Sequence, residues 1–551
     1  MSKGKIKKKS YPRLYIKELR FKDGVKLSLK ENSIVVFVGA NNCGKSQMLL
    51  DIETSIKSDE ELIIVDSTKL KLKGDIDYPP FLKKNFKKHE NGSVTLFNAG
   101  VSYELTYLTD SWKSKDMYSY IPELFVKRIT TEERLSISNS CKREERYMKE
   151  PFYILHDNDK KMDEISDLFF QAFGEELILN KGNVLELSLH VGKGPKKSDY
   201  TISNIDKYWD EVSKLPQLQH QGDGMRSFAS LLIDAFTSDY SITLLDEPEA
   251  FLHPPQARLL GKMLVERNSN HRQLFISTHS EEFLKGILDA NSDKVTIVRI
   301  DRNESINYIN VLSQESIKVL WNNPIMRYSN ILSGVFHDKV VICESDYDCL
   351  FYNAVLEAIC ESKEMFPPDI LFTHCGGNKR IKDIVGPLKI VGTQVAAICD
   401  FDTILSSNSF KELSNSFGIE WNSILFPNMK IIYDEINSKG RAPYEEKLKR
   451  IGKSALTGDA PKAYEVIEGV CKSEGLFVVP VGEMESFDHT INKSKKEWVY
   501  SVLATYDLAS EPKLACVREF VNQIIEWKQS NRRNLRVVSV FDKDINRRGV
   551  G

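Results

Sequence analysis

The segment from Gly39 to Ser46, Gly-Ala-Asn-Asn-Cys-Gly-Lys-Ser, constrains this chain more than any other, because it fits the pattern G-x-x-x-x-G-K-[ST]. It follows the β-branched run Ile34–Val38, which is typical of a buried strand, and it precedes a stretch that favours a helix. In this order the turn aims backbone N–H groups and a helix N-terminus at a phosphate. The chain is therefore predicted to build a nucleotide site on a parallel α/β sheet.

The composition fits a folded chain of several domains. Its 551 residues, 41% apolar and 28% charged, exclude a mainly disordered or collagenous protein. A formal net charge of −2 excludes coating of nucleic acid by overall charge, although local basic patches remain. The 9 cysteines include no C-x-x-C pair, which argues against a disulfide framework and predicts a reducing cytoplasm. No apolar run reaches the ~18 residues of a membrane span, so no membrane partner is predicted.

Two further strands end in residues that would complete the nucleotide site. Asp246 ends an apolar run and is placed to hold Mg²⁺ through water, and Glu247 is placed to polarise the attacking water. His279 ends another run roughly 30 residues later and would sense the γ-phosphate. Lys45 would reach the β and γ phosphates, and the Ser46 hydroxyl would bind Mg²⁺. The predicted ATP-binding residues are Gly39, Asn41, Asn42, Gly44, Lys45, Ser46, Gln47, Gly224 and Asp246.

These three parts, in this order, resemble the ATP-binding-cassette (ABC) ATPases, which include the SMC and DNA-repair ATPases. The segment from Gln221 to Ser227, Gln-Gly-Asp-Gly-Met-Arg-Ser, stands where that family carries its signature. Its acid at Asp223 departs from the Ser-Gly-Gly form of transporters and is similar to the Gly-Asp-Gly-x-x-Arg form of SMC-like ATPases in defence proteins. In the family, the signature of one head contacts the nucleotide of another, so the resemblance implies pairing of heads.

The second half of the chain has apolar strands that end in carboxylates. In an open parallel sheet the carboxyl ends of neighbouring strands meet in one crevice, so these acids would converge. Convergent carboxylates are stable together when cations bind them, and hard oxygen ligands suit Mg²⁺ or Mn²⁺. Two such ions ~3.5–4 Å apart would activate water for phosphodiester cleavage. The three strand ends carry Glu344 with Asp346 and Asp348, Asp400 with Asp402, and Glu483 with Glu485.

This constellation resembles the TOPRIM fold of topoisomerases and bacterial primases. An ABC-type ATPase followed directly by such a domain resembles the OLD (overcoming lysogenisation defect) nucleases, which include the Gabija nuclease subunit and retron-linked effectors. The family uses a downstream lysine near the scissile phosphate, for which Lys513 is the first candidate and Lys495 or Lys496 are alternatives. The resemblance implies that the metal-binding and catalytic acids are Glu344, Asp348, Asp400, Asp402, Glu483 and Glu485, with Glu247 and His279 acting in the ATPase.

The predicted fold is α/β, with an ABC/SMC-like ATPase over residues 1–333 and a TOPRIM nuclease domain with a basic C-terminal tail over 334–551. A charge-rich zone at about 105–215 is predicted to be an inserted helical segment that serves dimerisation. The predicted activity is ATP-regulated endonuclease cleavage in anti-phage defence, with DNA favoured over RNA. The resemblance implies a dimer or tetramer, and a partner such as a retron reverse transcriptase with its DNA or a helicase-like subunit.

Three alternatives and the direction of control remain open at this point. One alternative is a nucleotide-gated nucleic-acid-binding scaffold without useful cleavage, and another is a nuclease directed at RNA or transfer RNA. A structural DNA clamp would need long coiled-coil arms, for which the ~110 residues of the middle zone are too few. Nothing in the residues decides whether ATP activates or restrains cleavage. Basic clusters at 3–9, 193–197 and 532–548 would contact phosphates or simply aid solubility.

Overall fold

The computed structural model describes residues 9–90, 92–96, 101–114, 121–143, 151–322, 324 and 330–529. The chain divides into two compact units, Met1–Ile317 and Lys318–Gly551, so the division falls before the boundary predicted at residues 333–334. The mixed α/β class predicted from the sequence is confirmed. Within these residues, every helix is too short or too polar to cross a membrane. Lysines 3, 5, 7 and 8 and the arginines at 532–548 lie outside the described residues.

The described strands of the first unit form a six-stranded central sheet and three smaller sheets of three strands each. The strands are β1 (Arg13–Phe21), β2 (Lys26–Ser28), β3 (Ile34–Val38), β4 (Val65–Lys73), β5 (Phe86–Lys88), β6 (Ser93–Leu96), β7 (Ser102–Glu104), β8 (Val126–Ile129), β9 (Cys141–Lys142), β10 (Leu177–Asn180), β11 (Glu186–Val191), β12 (Ile242–Asp246), β13 (Gln273–Ser277), β14 (Val295–Asn303) and β15 (Ile306–Val311). In the central sheet the order is β15-β14-β3-β13-β12-β8.

The helices of the first unit follow or join these strands, and the last of them spans the division between the units. They are α1 (Lys45–Lys57), α2 (Pro79–Asn85), α3 (Leu105–Ser114), α4 (Thr131–Ile137), α5 (Pro151–His156), α6 (Asp159–Phe173), α7 (Ile205–Ser213), α8 (Asp223–Thr237), α9 (Pro254–Glu266), α10 (Glu281–Asp289) and α11 (Gln314–Asn322).

The centre of the main sheet is buried on both faces. All five residues of β3 are buried, and β3 pairs in parallel with β13 on one side and β14 on the other. Strand β12 in turn pairs in parallel with β13 and β8. A strand covered on both faces reads as a continuous apolar run, which is why Ile34–Val38 could be recognised from the sequence. The parallel pairing brings the carboxyl ends of β3, β12 and β13 to one edge.

The zone at about 105–215 differs from the helical segment that the sequence predicts. It contains helices, but it also contains β9, β10 and β11, and its strand β8 lies at the edge of the main sheet. Lys127 of β8 forms an ion pair with Asp234 at 2.7 Å, and Arg128 pairs with Glu53 at 2.6 Å. Adjacent strand residues point to opposite faces, so each charge meets a different helix. This pairing explains how so charged a run forms a strand.

The second unit contains one described sheet of four strands, β16 (Lys339–Cys343), β17 (Ile370–His374), β18 (Gln394–Cys399) and β19 (Leu476–Val478). Neighbouring strands of this sheet pair in parallel, in the order β17-β16-β18-β19. The helices are α12 (Asp346–Ser362), α13 (Ile381–Ile390), α14 (Ser407–Phe417), α15 (Phe426–Ser438), α16 (Arg441–Ile451), α17 (Ala460–Ser473), α18 (Lys495–Thr505) and α19 (Ala515–Glu526).

Lys339 links the first strand of this unit to its last described helix. Its buried ammonium donates hydrogen bonds to the carbonyl oxygens of Ile524 at 2.8 Å, Ile525 at 3.0 Å and Trp527 at 2.7 Å. The last carbonyls of a helix have no partner within the helix, so a cation there satisfies groups that burial would otherwise penalise. Burial in turn lowers the pKa of Lys339 to about 8.

Replacing Lys339 by Met should lower the free energy of unfolding by about 2–4 kcal/mol, because three carbonyls lose their donor while the volume is kept. Urea unfolding followed by circular dichroism measures this loss. Lys389→Met is the matched control, because Lys389 donates to the single carbonyl of Phe417 at 2.9 Å. Equal losses in the two variants would show that the Lys339 contacts have no special weight.

Candidate functional site

The turn between β3 and α1 requires glycine at two positions. Gly39 has φ +145°, and a Cβ there would lie 2.2 Å from the carbonyl oxygen of Ile300. Gly44 has φ +103°, and its Cβ would lie 2.7 Å from a methyl group of Ile64. Only glycine combines these backbone angles with so close an approach. Asn42, at φ +60°, lies exposed between them.

The lysine of the turn is buried and satisfied by the turn itself. The Lys45 ammonium donates to the carbonyl oxygens of Gly39 and Ala40, both at 2.9 Å. Asn41 is exposed beside it. Gln47, which the sequence places among the ATP-binding residues, donates its amide to the Asp51 carboxylate at 2.7 Å. Gln47 thus has a partner within its own helix.

The predicted magnesium-binding residues of the first unit lie together. The Ser46 hydroxyl donates to Asp246 Oδ1 at 3.0 Å, although the two residues are far apart in sequence. The Ser277 hydroxyl, at the end of β13, donates to the same carboxylate oxygen. A hydroxyl and a carboxylate at the ends of parallel strands form an oxygen donor set that suits Mg²⁺. These residues fit the ion by the chemistry of their donors.

Glu247 and His279 also lie together, as an ion pair. The His279 Nδ1 atom is 3.0 Å from Glu247 Oε1. This hydrogen bond raises the pKa of His279 and lowers the pKa of Glu247, so it favours the charged form of both side chains. Glu247 has φ +45°, a left-handed conformation that costs about 1–3 kcal/mol for a residue with a side chain. Surrounding contacts must therefore hold it.

Arg134 is one such contact, and it was not predicted from the sequence. Its guanidinium is 0% exposed, and Nη1 donates to the backbone carbonyls of Asp246 at 3.0 Å and Glu247 at 2.9 Å. Helix α4, which carries it, begins with a capping box in which Thr130 and Glu133 bond each other's backbone. The pattern Thr-x-x-Glu was the available signal for this helix, but nothing in it indicates where Arg134 points.

The signature segment lies at the start of α8. A Cβ on Gly224 would be 2.7 Å from the carbonyl oxygen of Phe251, so this glycine permits a close backbone approach. Asp223 is exposed and accepts a hydrogen bond from Arg226 at 3.1 Å. The acid that departs from the transporter form of the signature is thus paired within its own turn.

In the second unit, the predicted acids follow the carboxyl ends of β16, β18 and β19. The backbone N–H of Asp400 donates to Glu344 Oε1 at 3.2 Å, so two of these strand ends are in direct contact. Asp348 lies in the first turn of α12 and accepts from the N–H and the hydroxyl of Ser345 at 2.9 and 2.8 Å. Asp346 is exposed.

Electrostatic coupling shows that these acids share one crevice. Burial, and then the charges of neighbouring acids including Asp402, raises the pKa of Glu344 to about 7. Burial followed by the Glu344 charge raises the pKa of Asp400. Burial followed by Glu485 and Asp402 raises the pKa of Glu483. The structure thus brings together the acids of all three strand ends.

Two lysines lie among the acids. Lys495 Nζ is 2.8 Å from Asp348 Oδ1 and 4.0 Å from Asp400 Oδ2. Burial opposes its charge, but these two carboxylates outweigh that effect and raise its pKa. Lys449, which was not predicted, is 3.2 Å from Asp402 Oδ2. Its helix α16 lies in the excursion between β18 and β19, which gives no local signal in the sequence.

The first candidate for the assisting lysine lies elsewhere. Lys513 donates to the Thr490 and Tyr506 hydroxyls at 3.0 and 3.1 Å and is 3.7 Å from Asp488. Lys496 is exposed. Of the three candidates, Lys495 is the one that the structure places among the acids. Its position depends on the packing of α18 against α12, which spacing in the sequence does not reveal.

The donor set of the second unit fits a hard cation in chemistry. Within the described residues, no three His, Cys, Asp or Glu side chains are arranged to hold a metal ion as they stand. The Lys495 ammonium contacts both oxygens of Asp348, so its positive charge stands where a metal ion would bind this carboxylate. An ion bound at these carboxylates would therefore compete with Lys495.

Comparisons with known proteins agree with the resemblance to the OLD family. A family model described as "AAA domain, putative AbiEii toxin, Type IV TA system" matches residues 79–285. The Old nuclease of Escherichia phage P2 is 23% identical over 272 residues, which cover 47% of this chain and 45% of that protein. The match thus spans less than half the length of this relative. Together these matches confirm the resemblance to the OLD family and support a nucleotide-binding ATPase module.

Solved structures of SMC heads also align with this chain. The Smc head from Pyrococcus furiosus, with an extended coiled coil and bound to the C-terminal domain of ScpA, is 11% identical, with a TM-score of 0.33. This alignment covers 56% of this chain and 99% of that one. The SMC head from Thermotoga maritima is 12% identical, with a TM-score of 0.28, over 55% of this chain and 100% of that one.

Added Mn²⁺ should raise the melting temperature more at pH 8 than at pH 6. Acids with raised pKa values contribute stability that is complete below about pH 4 and is lost as the pH rises through about 7. A bound cation offsets the repulsion that appears at the higher pH. At about 100 times its Kd, binding is worth roughly 2.7 kcal/mol, or a shift of about 5–11 °C for a unit of roughly 200 residues.

Differential scanning fluorimetry measures these shifts. Asp400→Asn should remove most of the Mn²⁺ effect, whereas the exposed Asp346→Asn should keep it. Equal Mn²⁺ shifts in the wild type and Asp400→Asn would contradict cation binding at these acids.

Proposed function

We propose that this chain is an ATP-regulated, divalent-metal-dependent endonuclease whose TOPRIM-type second unit hydrolyses phosphodiesters. The observation that carries the proposal is the convergence of half-buried acids, which raise each other's pKa values, at the carboxyl edge of a parallel sheet. The same chain holds a phosphate loop whose lysine bonds the carbonyls of the loop itself and whose serine donates to Asp246. The name of the Old nuclease adds support from a relative.

The acids of the second unit would hold Mg²⁺ or Mn²⁺ through Glu344, Asp348, Asp400, Asp402, Glu483 and Glu485. Bound ions of this kind activate water and stabilise the leaving oxygen in phosphodiester hydrolysis. Without a bound ion, burial and the neighbouring acids raise the pKa of the Glu344 carboxyl to about 7, so an ion bound there would have to displace its proton. The Lys495 ammonium, once it leaves Asp348, would bind the negatively charged substrate phosphate.

In the first unit, Lys45 would exchange its carbonyl partners for phosphate oxygens. Ser46 and Asp246, already in contact at 3.0 Å, would hold the magnesium ion of Mg-ATP. The His279 contact keeps Glu247 ionised, as a residue that orients and polarises the attacking water must be. ATP binding at this unit would control cleavage by the other.

The proposed substrate is DNA in preference to RNA, and the proposed setting is the cytoplasm. Heads would pair through the signature segment around Gly224, with contacts from residues 105–215, to give a dimer or tetramer. Anti-phage defence is the proposed role, as in the Gabija and retron systems. The proposed partner is a retron reverse transcriptase with its DNA or a helicase-like subunit. These assignments rest on the family resemblance.

Supercoiled plasmid should be nicked in Mg²⁺ or Mn²⁺, and ATP should change the rate, because one chain carries both sites. Agarose gels with ATP, ADP or no nucleotide measure cleavage and show the sign of nucleotide control. Asp400→Ala should reduce nicking by at least about 100-fold, since it removes a central acid. Lys45→Ala should keep metal-dependent nicking and lose the response to ATP.

Asp346→Ala is the matched control, because Asp346 is an exposed acid at the start of α12; this variant should cleave like the wild type. Cleavage of RNA but not of plasmid would show that the substrate is RNA, such as transfer RNA, and not DNA. Metal-independent binding of nucleic acid without any cleavage would favour a nucleotide-gated scaffold and would contradict the nuclease proposal.

Expression of the chain with its genomic neighbours should protect bacteria against phage, because the proposed role is defence. Efficiency of plating measures the protection. Asp400→Ala and Lys45→Ala should each lose it by at least about tenfold, in line with the loss of the site that each one carries. Equal plating with the wild type and both variants would defeat the defence role while leaving the nuclease assay unaffected.

A further inference from the structure

Helix α4 contacts the acid pair of the first unit through one arginine. Arg134 Nη1 donates to the backbone carbonyls of both Asp246 and Glu247, and Nη2 donates to the Thr131 hydroxyl at 2.9 Å. The guanidinium therefore fixes the main chain at the point where β12 ends. None of these three hydrogen bonds goes to a carboxylate that the proposed ATPase uses.

A second arginine ties the other end of α4 to the signature helix. Arg226, in the first turn of α8, donates through Nη2 to the carbonyl of Leu135 at 2.9 Å and through Nε to the Ser138 hydroxyl at 3.2 Å. Its third bond goes to Asp223, in the signature segment itself. Helix α4 is thus linked to the signature segment at its C-terminal end and to the acid pair through Arg134.

The acid pair needs such support. Glu247 has a left-handed backbone, and its side chain meets His279 only while that backbone is held. A misplacement of about 1 Å in a catalytic group can cost about 100-fold in rate. A fully buried guanidinium is a rigid fork, and it bonds two successive carbonyls with fixed geometry.

We infer that Arg134 is a positioning residue for ATP hydrolysis, and that α4 couples the signature segment to the acid pair through Arg226 and Arg134. Movement of the signature segment when heads pair would pass to the backbone of Asp246 and Glu247. This inference rests on the proposed ATPase function and assigns regulation to a helix of the 105–215 zone.

A buried arginine can also serve stability alone, and Arg272 provides the matched control for that role. Arg272 is also buried, and its Nε donates to Asn268 Oδ1 at 2.9 Å. It precedes β13 and therefore lies at the opposite end of that strand from His279. Arg272→Met should lose stability as Arg134→Met does but keep the turnover of the wild type.

Steady-state ATP hydrolysis and binding of a fluorescent ATP analogue test the role of Arg134. Arg134→Met should lower kcat by about 10–100-fold, while KM and nucleotide affinity change less than about threefold, because the phosphate loop is untouched. Arg134→Lys should recover part of the loss, since an ammonium can still donate to a carbonyl. Wild-type kcat in Arg134→Met, or the same loss in Arg272→Met, would overturn the positioning role.

A double-mutant cycle tests the coupling. If α4 transmits movement of the signature segment to the acid pair, the double variant Arg226→Ala with Arg134→Met should lower kcat no further than the stronger single change does. Multiplied losses would overturn the coupling. A wild-type chain that binds but never hydrolyses ATP would instead refute the ATPase proposal itself, and with it the assignment, so the two failures can be told apart.

Discussion

Carboxylates that follow neighbouring parallel strands must lie close together, and the second unit depends on how their repulsion is balanced. Parallel pairing of β16, β18 and β19 brings Glu344, Asp400 and Glu483 to one edge. Raised pKa values of Glu344 and Asp400 favour their neutral forms, and the ammonium of Lys495 lies beside Asp348 and offsets part of the remaining negative charge. Protons and an ammonium thus reduce the repulsion at the acid edge.

At the corresponding edge of its central sheet, the first unit has a buried cation, and its carboxylates each have hydrogen-bond partners. There a single ammonium, Lys45, is buried in a turn and satisfied by two carbonyls. Its acids are dispersed among partners of their own: Asp246 receives two hydroxyls and Glu247 receives His279. One sheet edge therefore favours an anion such as phosphate, and the other favours cations, although both arise from parallel strands.

The parts of the site that sequence alone predicts are those encoded by a strand and the residues directly after it. The phosphate loop, the Asp246–Glu247 pair and the three acidic strand ends all have this form, because an apolar run sets the place of the polar residue that follows. Arg134, Lys449 and the central position of Lys495 have no such local rule. Each of these side chains is long and lies on a helix, so the packing of that helix decides where the charged group lies. Strand β8 was not predicted either, because its charged residues are accommodated only by their ion pairs with other elements.

The hydrogen bonds from Lys339 to the carbonyls of Ile524, Ile525 and Trp527 have a consequence for synthesis of the chain. Lys339, on the first strand of the second unit, gains these acceptors only when the last described helix has left the ribosome. Domains fold as units during translation, so the acid edge would mature late, after the nucleotide-binding unit is already formed. A chain cut short before this helix would leave the ammonium of β16 without these carbonyl acceptors, so the fold itself would delay the acid edge until the protein is finished.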